Sequence, residues 1–152
     1  MVEEGKPAPD FELSSDTGER VKLSSLRGKP VVLYFYPKDD TPGCTAQACG
    51  IRDVYADFRE RGAVVLGVSL DTVEGHKAWC SKDTFSFKLL ADPDHKVVDA
   101  YGVPLMTHGD MKYAARDTFL ISPSGKIVKV WEKVDPNVHS TDVLAEIAAN
   151  QK

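Results

Sequence analysis

Apolar segments predict three strands, two of them buried, in the first two thirds of the chain. Val31–Tyr36 is a β-branched and aromatic run that Pro37 ends, because proline has no amide hydrogen for a sheet ladder. Ala63–Leu70 is a second, largely apolar run, and Phe87–Leu90 is predicted to be a short strand. Runs of this length are typical of strands covered on both faces.

Short apolar segments on either side of turn residues predict two hairpins. Phe11–Leu13 and Val21–Leu23 flank a glycine turn at Asp16–Glu19. Thr118–Ile121 and Lys126–Trp131 flank a Ser-Pro-Ser-Gly turn. The chain is therefore expected to have one hairpin near each end.

Helical spacing of apolar residues follows the first buried strand. The stripe recurs at i, i+3, i+4 and i+7 and consists of Ile51, Val54, Tyr55 and Phe58. It predicts one helix that begins between Thr41 and Cys44, ends at Arg61 and has Gly62 as its C-cap. Further helices are predicted over residues 73–82, 94–101 and 140–149.

Strands alternate with helices after the N-terminal hairpin, in the order β–α–β–α–β–α–β–β–α. Such alternation indicates βαβ units, in which neighbouring strands are parallel, and the last hairpin adds antiparallel strands. We therefore predict an α/β fold with a central mixed β-sheet flanked by helices and an N-terminal β-hairpin. A chain of 152 residues has the size of one domain, so residues 1–152 are expected to form a single domain.

Composition and charge narrow the class of function. Hydrophobic residues make up 42% of the chain and charged residues 28%, which is typical of a folded domain rather than a disordered one. Lys and Arg total 19 against 23 Asp and Glu, so the chain lacks the basic excess of a nucleic-acid binder. No apolar run approaches the ~20 residues that a membrane-spanning helix needs. Neither nucleic acid nor membrane is therefore an expected partner.

The cysteine count points to reactive rather than structural thiols. Three cysteines cannot all pair within one chain, and no secretory signal is visible at the N-terminus. These features predict a reducing cytoplasmic location, where cysteine chemistry is more often catalytic than structural.

Cys44 has the position of a nucleophile. It follows a buried strand and opens a helix, where free backbone N–H groups and the helix dipole favour a thiolate over a thiol. Thr41, three residues earlier, either caps the helix or reaches the sulfur and a bound oxygen. Pro37 and Pro42 stiffen the loop between strand and helix. By position, Cys44 could equally be a half-buried cysteine without chemistry.

A longer motif makes a family resemblance specific. Residues 35–49 have the sequence FYPKDDTPGCTAQAC, and its spacing Pro37-x3-Thr41-x2-Cys44 resembles the active-site motif of the peroxiredoxins. The flanking DTPGCT and the second cysteine resemble the bacterioferritin-comigratory/peroxiredoxin Q branch. The likeness extends over nearly the whole chain, including Arg116–Ile121. It implies a thioredoxin-like fold and a thiol-dependent peroxidase that reduces hydrogen peroxide and organic hydroperoxides.

The resemblance also assigns roles to individual residues. Cys44 would be the peroxidatic cysteine, which attacks the O–O bond and becomes a sulfenic acid. Thr41 would hydrogen-bond the peroxide, Arg116 would hold the thiolate and polarise the peroxide oxygens, and Pro37 would shield the sulfur. A thioredoxin-like reductant would recycle a monomeric enzyme, and no cofactor is implied because the sulfur does the chemistry.

A sulfenic acid needs a second thiol before it oxidises further, and two cysteines are candidates. Cys49 lies five residues after Cys44, so an intact helix would hold their Cα atoms roughly 8.7 Å apart. That exceeds the ~7 Å reach of a disulfide, so a Cys44–Cys49 bond requires the first helical turns to unwind. Cys80, in the next helix, is the alternative, and other members of this branch carry their resolving cysteine there. We favour Cys49.

The stretch before Arg116 departs from the usual pattern of the branch. Residues 102–113 form a shorter segment than is usual there, and their sequence differs from the pattern. Met106, Met111 and Tyr113 in this stretch either form an apolar rim for organic peroxides or pack as ordinary loop residues.

Three other functions remain open on the residues themselves. Cys44, Cys49, His76 and Cys80 could bind zinc, although their spacing departs from the usual CxxC pattern and His76 is expected on a solvated helix face. A thioredoxin-type disulfide oxidoreductase would have two residues between its cysteines, whereas four separate Cys44 from Cys49. A non-catalytic thioredoxin-fold binding module would have a cysteine of ordinary reactivity.

Overall fold

The computed structural model describes residues 2–39, 42–83, 87–135 and 139–150. The strands in these ranges are β1 (Glu12–Ser15), β2 (Arg20–Lys22), β3 (Val31–Phe35), β4 (Val64–Ser69), β5 (Lys88–Ala91), β6 (Leu105–His108), β7 (Met111–Ala114), β8 (Thr118–Ile121) and β9 (Ile127–Trp131). The α-helices are α1 (Pro42–Asp53), α2 (Tyr55–Glu60), α3 (Val73–Asp83), α4 (Lys96–Ala100) and α5 (His139–Asn150), and a 3-10 turn covers Leu23–Leu26. None of these helices has the length and hydrophobicity that a membrane crossing requires.

A seven-stranded mixed sheet with the order β2-β1-β5-β4-β3-β8-β9 forms the centre of the molecule. Strands β3, β4 and β5 are parallel to one another, and the N-terminal hairpin and strands β8 and β9 add antiparallel strands on either side. The predicted mixed sheet and N-terminal hairpin are thus confirmed.

The two faces of the sheet are covered by different helices. Side chains of strand β3 alternate between two apolar clusters, because successive residues of a strand point to opposite faces. One cluster holds Leu33 and Phe35 with residues of α4, and the other holds Tyr34 with residues of α1, α2, α3 and α5. The second cluster contains Cys44, so the candidate nucleophile of the sequence lies on the side covered by four helices.

The structure differs from the sequence prediction at two elements. The helix predicted to end at Arg61 is interrupted at Val54, whose φ of −115° and ψ of 16° are not helical. Ile51 and Phe58 are buried on either side of this interruption, so the apolar stripe that predicted one helix is shared by two. The hairpin β6–β7 was not predicted, because its strands are short and largely exposed and lack the apolar alternation that marks a half-buried strand.

Gly67 is expected to be intolerant of any side chain. It lies in β4 between Tyr34 of β3 and Leu89 of β5, and an added Cβ would come within 2.7 Å of the Tyr34 ring and 2.9 Å of Leu89. Tyr34 is 1% exposed and has no space to retreat. Gly67→Ala should therefore lower the free energy of unfolding by about 1–3 kcal/mol, measured by urea denaturation.

Gly75→Ala is the matched control, because the nearest side-chain atom to its added Cβ is 3.5 Å away and alanine favours a helix. Equal stability of Gly67→Ala and the unmodified protein would contradict the packing described here.

Candidate active site

Strand pairing brings two distant segments of the chain to one place. Strand β8 runs antiparallel to β3, with Thr118 opposite Tyr34, and the Phe35 amide donates to the Asp117 carbonyl at 2.8 Å. The residues just before β8 therefore lie beside the residues just after β3. This geometry places Arg116 next to the start of α1, which follows β3 in the chain.

Arg116 contacts the sulfur that the sequence singles out. Its Nη2 donates to Cys44 Sγ at 3.4 Å, and its Nη1 donates to Gln47 Oε1 at 2.9 Å. Cys44 is 1% exposed, so little water screens this contact. The permanently charged guanidinium thus lies where it stabilises negative charge on the sulfur and on an oxygen bound to it.

Gln47 is a site residue to which sequence reasoning assigned no role. It lies one helical turn after Cys44 on α1, and this i, i+3 spacing is the signal that could have identified it. Its side chain is buried, and its Oε1 holds one arm of the Arg116 fork while its Nε2 has no hydrogen-bond partner among the described residues. Gln47 therefore orients the guanidinium and leaves an amide donor in the buried cluster.

A groove of about 470 Å³ opens beside Arg116. Its walls are mostly apolar, and the lining residues are Pro37, Pro104, Met106, Ala115, Arg116, Asp117, Glu132, Lys133 and Val134. Met106, which is exposed, lines this groove together with Arg116. Met111 and Tyr113 lie on β7, where the Tyr113 hydroxyl donates to the Met111 sulfur at 3.5 Å.

Comparison with known proteins decides the family. The sequence profile described as the AhpC/TSA family matches residues 4–130. The chain belongs to this family. Relatives that are 41–45% identical to it are named Bcp or peroxiredoxin Q. It is a peroxiredoxin of this type, and these are thiol peroxidases of the atypical 2-Cys class.

Individual relatives resemble the chain over most of its length. Peroxiredoxin Bcp of Bacillus subtilis (strain 168) is 45% identical over 146 residues, which cover 94% of this chain and 93% of the relative. The chloroplastic peroxiredoxin Q of Sedum lineare is 41% identical over 144 residues, which cover 94% of this chain and 76% of the relative. The structure of the Xanthomonas campestris bacterioferritin comigratory protein, studied for alkyl peroxide reduction, superposes with a TM-score of 0.90 at 34% identity, covering 99% of this chain and 100% of that one.

The peroxiredoxin's three cysteines are all outside disulfides, and two of them share α1. The helix is continuous from Cys44 to Cys49, as predicted, so a bond between them requires α1 to unwind. Cys80 lies half-buried on α3, where burial and the Asp16 and Asp39 carboxylates raise its thiol pKa to about 12. Because thiol exchange requires a thiolate, Cys80 is a poor attacking group in this conformation.

Two further residues singled out by the sequence are Thr41 and His76. Thr41, which the resemblance assigns to peroxide binding, lies outside the described residues. His76 was expected on a solvated face, but it is completely buried, and its ring nitrogens bond to Asp39 and to the Leu90 carbonyl. Both ring nitrogens are therefore engaged, which argues against His76 as a zinc ligand.

Proposed function

We propose that Cys44 is the peroxidatic cysteine of this peroxiredoxin and reduces hydrogen peroxide and organic hydroperoxides. The observation that carries this proposal is the Arg116 guanidinium, 3.4 Å from a buried Cys44 sulfur. The thiolate attacks one peroxide oxygen, the O–O bond breaks, and the other oxygen leaves with a proton as water or alcohol. Cys44 is thereby oxidised to a sulfenic acid.

Charge stabilisation accounts for the rate of this step. Negative charge moves from the sulfur to the departing oxygen, and Arg116, which Gln47 holds by a hydrogen bond, already lies beside the sulfur. Donors fixed before the reaction stabilise such charge without reorganisation. In the proposal Thr41 hydrogen-bonds the peroxide, and Pro37, which lines the groove beside Arg116, shields the sulfur from water.

We propose that Cys49 resolves the sulfenic acid. Its thiol attacks the Cys44 sulfur, water leaves, and a Cys44–Cys49 disulfide forms after the first turns of α1 unwind. A thioredoxin-like dithiol then reduces this disulfide and is itself oxidised. The raised thiol pKa of Cys80 supports Cys49 over Cys80 as the resolving cysteine.

The remaining parts of the proposal concern the setting of the enzyme. The mostly apolar groove at Arg116 suits the alkyl group of an organic hydroperoxide. Because both reacting cysteines lie on one helix, no second subunit is needed, and we propose a monomer. We also propose that residues 1–152 form one domain in the cytoplasm, without nucleic-acid or membrane partners.

Peptide mapping after one equivalent of hydrogen peroxide tests the proposed chemistry. The unmodified protein should lose two hydrogens and yield a Cys44–Cys49 crosslink. Cys80→Ser should give the same product, and Cys49→Ser should stop at a Cys44 sulfenic acid that a dimedone probe traps.

A Cys44–Cys80 crosslink would still support the peroxidase function, but it would make Cys80, on α3, the resolving cysteine. A Cys44 that remains a thiol with peroxide in excess would overturn the catalytic assignment and favour a non-catalytic binding module.

A further inference from the structure

A buried polar network lies behind the active site, on the side of α3. Its centre is the contact of His76 Nδ1 with Asp39 Oδ2 at 2.6 Å. The His76 side chain is 0% exposed and that of Asp39 is 9% exposed. The peroxidase chemistry described above uses neither residue.

The partners of His76 determine where its protons are. Its Nε2 lies 2.9 Å from the Leu90 carbonyl oxygen, which only accepts, so this nitrogen carries a proton. A second proton must lie between Nδ1 and Asp39 Oδ2, because two acceptors without one would repel at 2.6 Å. The pair is therefore a charge-assisted bond that is shielded from water and connects α3 to the loop after β3.

Asp39 is held from two further directions. Its Oδ1 accepts from the Tyr36 hydroxyl at 2.6 Å, and its backbone N–H donates to Asp71 Oδ2 at 2.8 Å. Burial and the neighbouring Asp39 carboxylate raise the pKa of Tyr36 well above its usual range, so this hydroxyl remains a donor. The residue after β3, helix α3 and the loop after β4 thus converge on Asp39.

The hydrogen bonds that hold Asp39 in place matter for the reaction because Asp39 lies close to Cys44 in the chain. Asp39 lies three residues before Pro42, the first residue of α1, and five before Cys44. Anchoring Asp39 restricts where the chain enters α1, and this entry sets the position of the Cys44 sulfur relative to Arg116. Misplacement of a reacting group by 1 Å costs a reaction as much as ~100-fold in rate.

We propose that His76 is a positioning residue of the peroxidase reaction, which acts through Asp39 to hold the start of α1 against Arg116. The inference rests on the proposed role of Cys44. It assigns a kinetic role to a histidine that touches neither the sulfur nor the groove.

Two substitutions separate the Asp39 contact from the rest of the network. His76→Gln should keep an amide donor for the Leu90 carbonyl while losing the partner of Asp39 Oδ2. Asp39→Asn should keep both side-chain bonds, because its amide donates to a neutral His76 and its oxygen accepts from Tyr36. His95→Gln is the matched control, since His95, just before α4, contacts Asp99 Oδ2 through its Nδ1 at 2.7 Å in a pair that water reaches.

The measurement is the second-order rate constant of Cys44 oxidation in a single turnover, with urea unfolding of each variant alongside. His76→Gln and Asp39→Ala should each lower the rate constant ~10-fold or more in molecules that remain folded. The double variant should be no slower than either single one, because the two residues act as one unit. Asp39→Asn should restore most of the rate, and His95→Gln should leave it unchanged.

An unchanged rate constant in folded His76→Gln would overturn the proposal, as would additive effects in the double variant or failure of Asp39→Asn to restore the rate. If His76→Gln does not fold, Asp39→Ala and Asp39→Asn decide the question, because Asp39 lies on a loop. The unmodified protein tests Cys44 separately. No oxidation there would contradict the proposed function, whereas normal oxidation with unaffected variants would contradict only the role of His76.

Discussion

Cys44→Ser is expected to abolish peroxide reduction, with a loss on the order of 10⁴-fold or more, as for removal of a nucleophile elsewhere. Serine has nearly the shape of cysteine, so the buried site should remain packed. Its hydroxyl is not ionised at neutral pH, however, and a neutral hydroxyl does not attack the O–O bond. Peroxide consumption with dithiothreitol as the reductant measures this loss, and residual activity above a few per cent would contradict the assignment of Cys44.

Cys80→Ser is the control for this substitution. It removes a half-buried thiol on the same side of the sheet, but on α3 rather than α1, so peroxide consumption should remain close to that of the unmodified protein. Cys49→Ser gives a third result, because the first equivalent of peroxide should still be consumed. With a reductant that reduces disulfides but not sulfenic acids, turnover should then stop.

Arg116→Ala is expected to lower the rate constant for Cys44 oxidation by about 10²- to 10³-fold, the range for loss of a donor aimed at developing charge. The substitution removes the donor 3.4 Å from the sulfur and leaves the buried Gln47 oxygen without its partner. Arg116→Lys should recover only part of the rate, because lysine keeps the charge but lacks the two-armed fork. Stopped-flow oxidation with hydrogen peroxide measures both variants.

Arg20→Ala is a suitable control, since Arg20 forms an exposed contact with Glu12 on the N-terminal hairpin. Circular dichroism should show that Arg116→Ala remains folded, so that a lower rate reports on the site. A rate constant within threefold of the unmodified protein would mean that Arg116 holds the sulfur without assisting the reaction.

Local patterns were enough to predict most of the fold and, within the site, the position of Cys44. Alternation and apolar runs predicted the strands of the large sheet, because a strand or helix must bury its apolar positions against the same core. The placement of Cys44 in the first turn of α1, after β3, followed from the same patterns, and the resemblance to a family motif added Arg116 to it. The β6–β7 hairpin was missed, because exposed strands leave little apolar signal.

The sequence by itself thus determined the order of the elements, the mixed sheet and the cysteine at a helix start, since each depends on residues close together in the chain. The tertiary structure decided which side chains meet. Arg116 reaches Cys44 across 72 positions because β8 pairs with β3, and Gln47 completes that contact from α1. His76 reaches Asp39 across 37 positions because α3 packs on the same face of the sheet. No local pattern encodes such contacts, because they depend on how strands pair and helices pack over the whole chain.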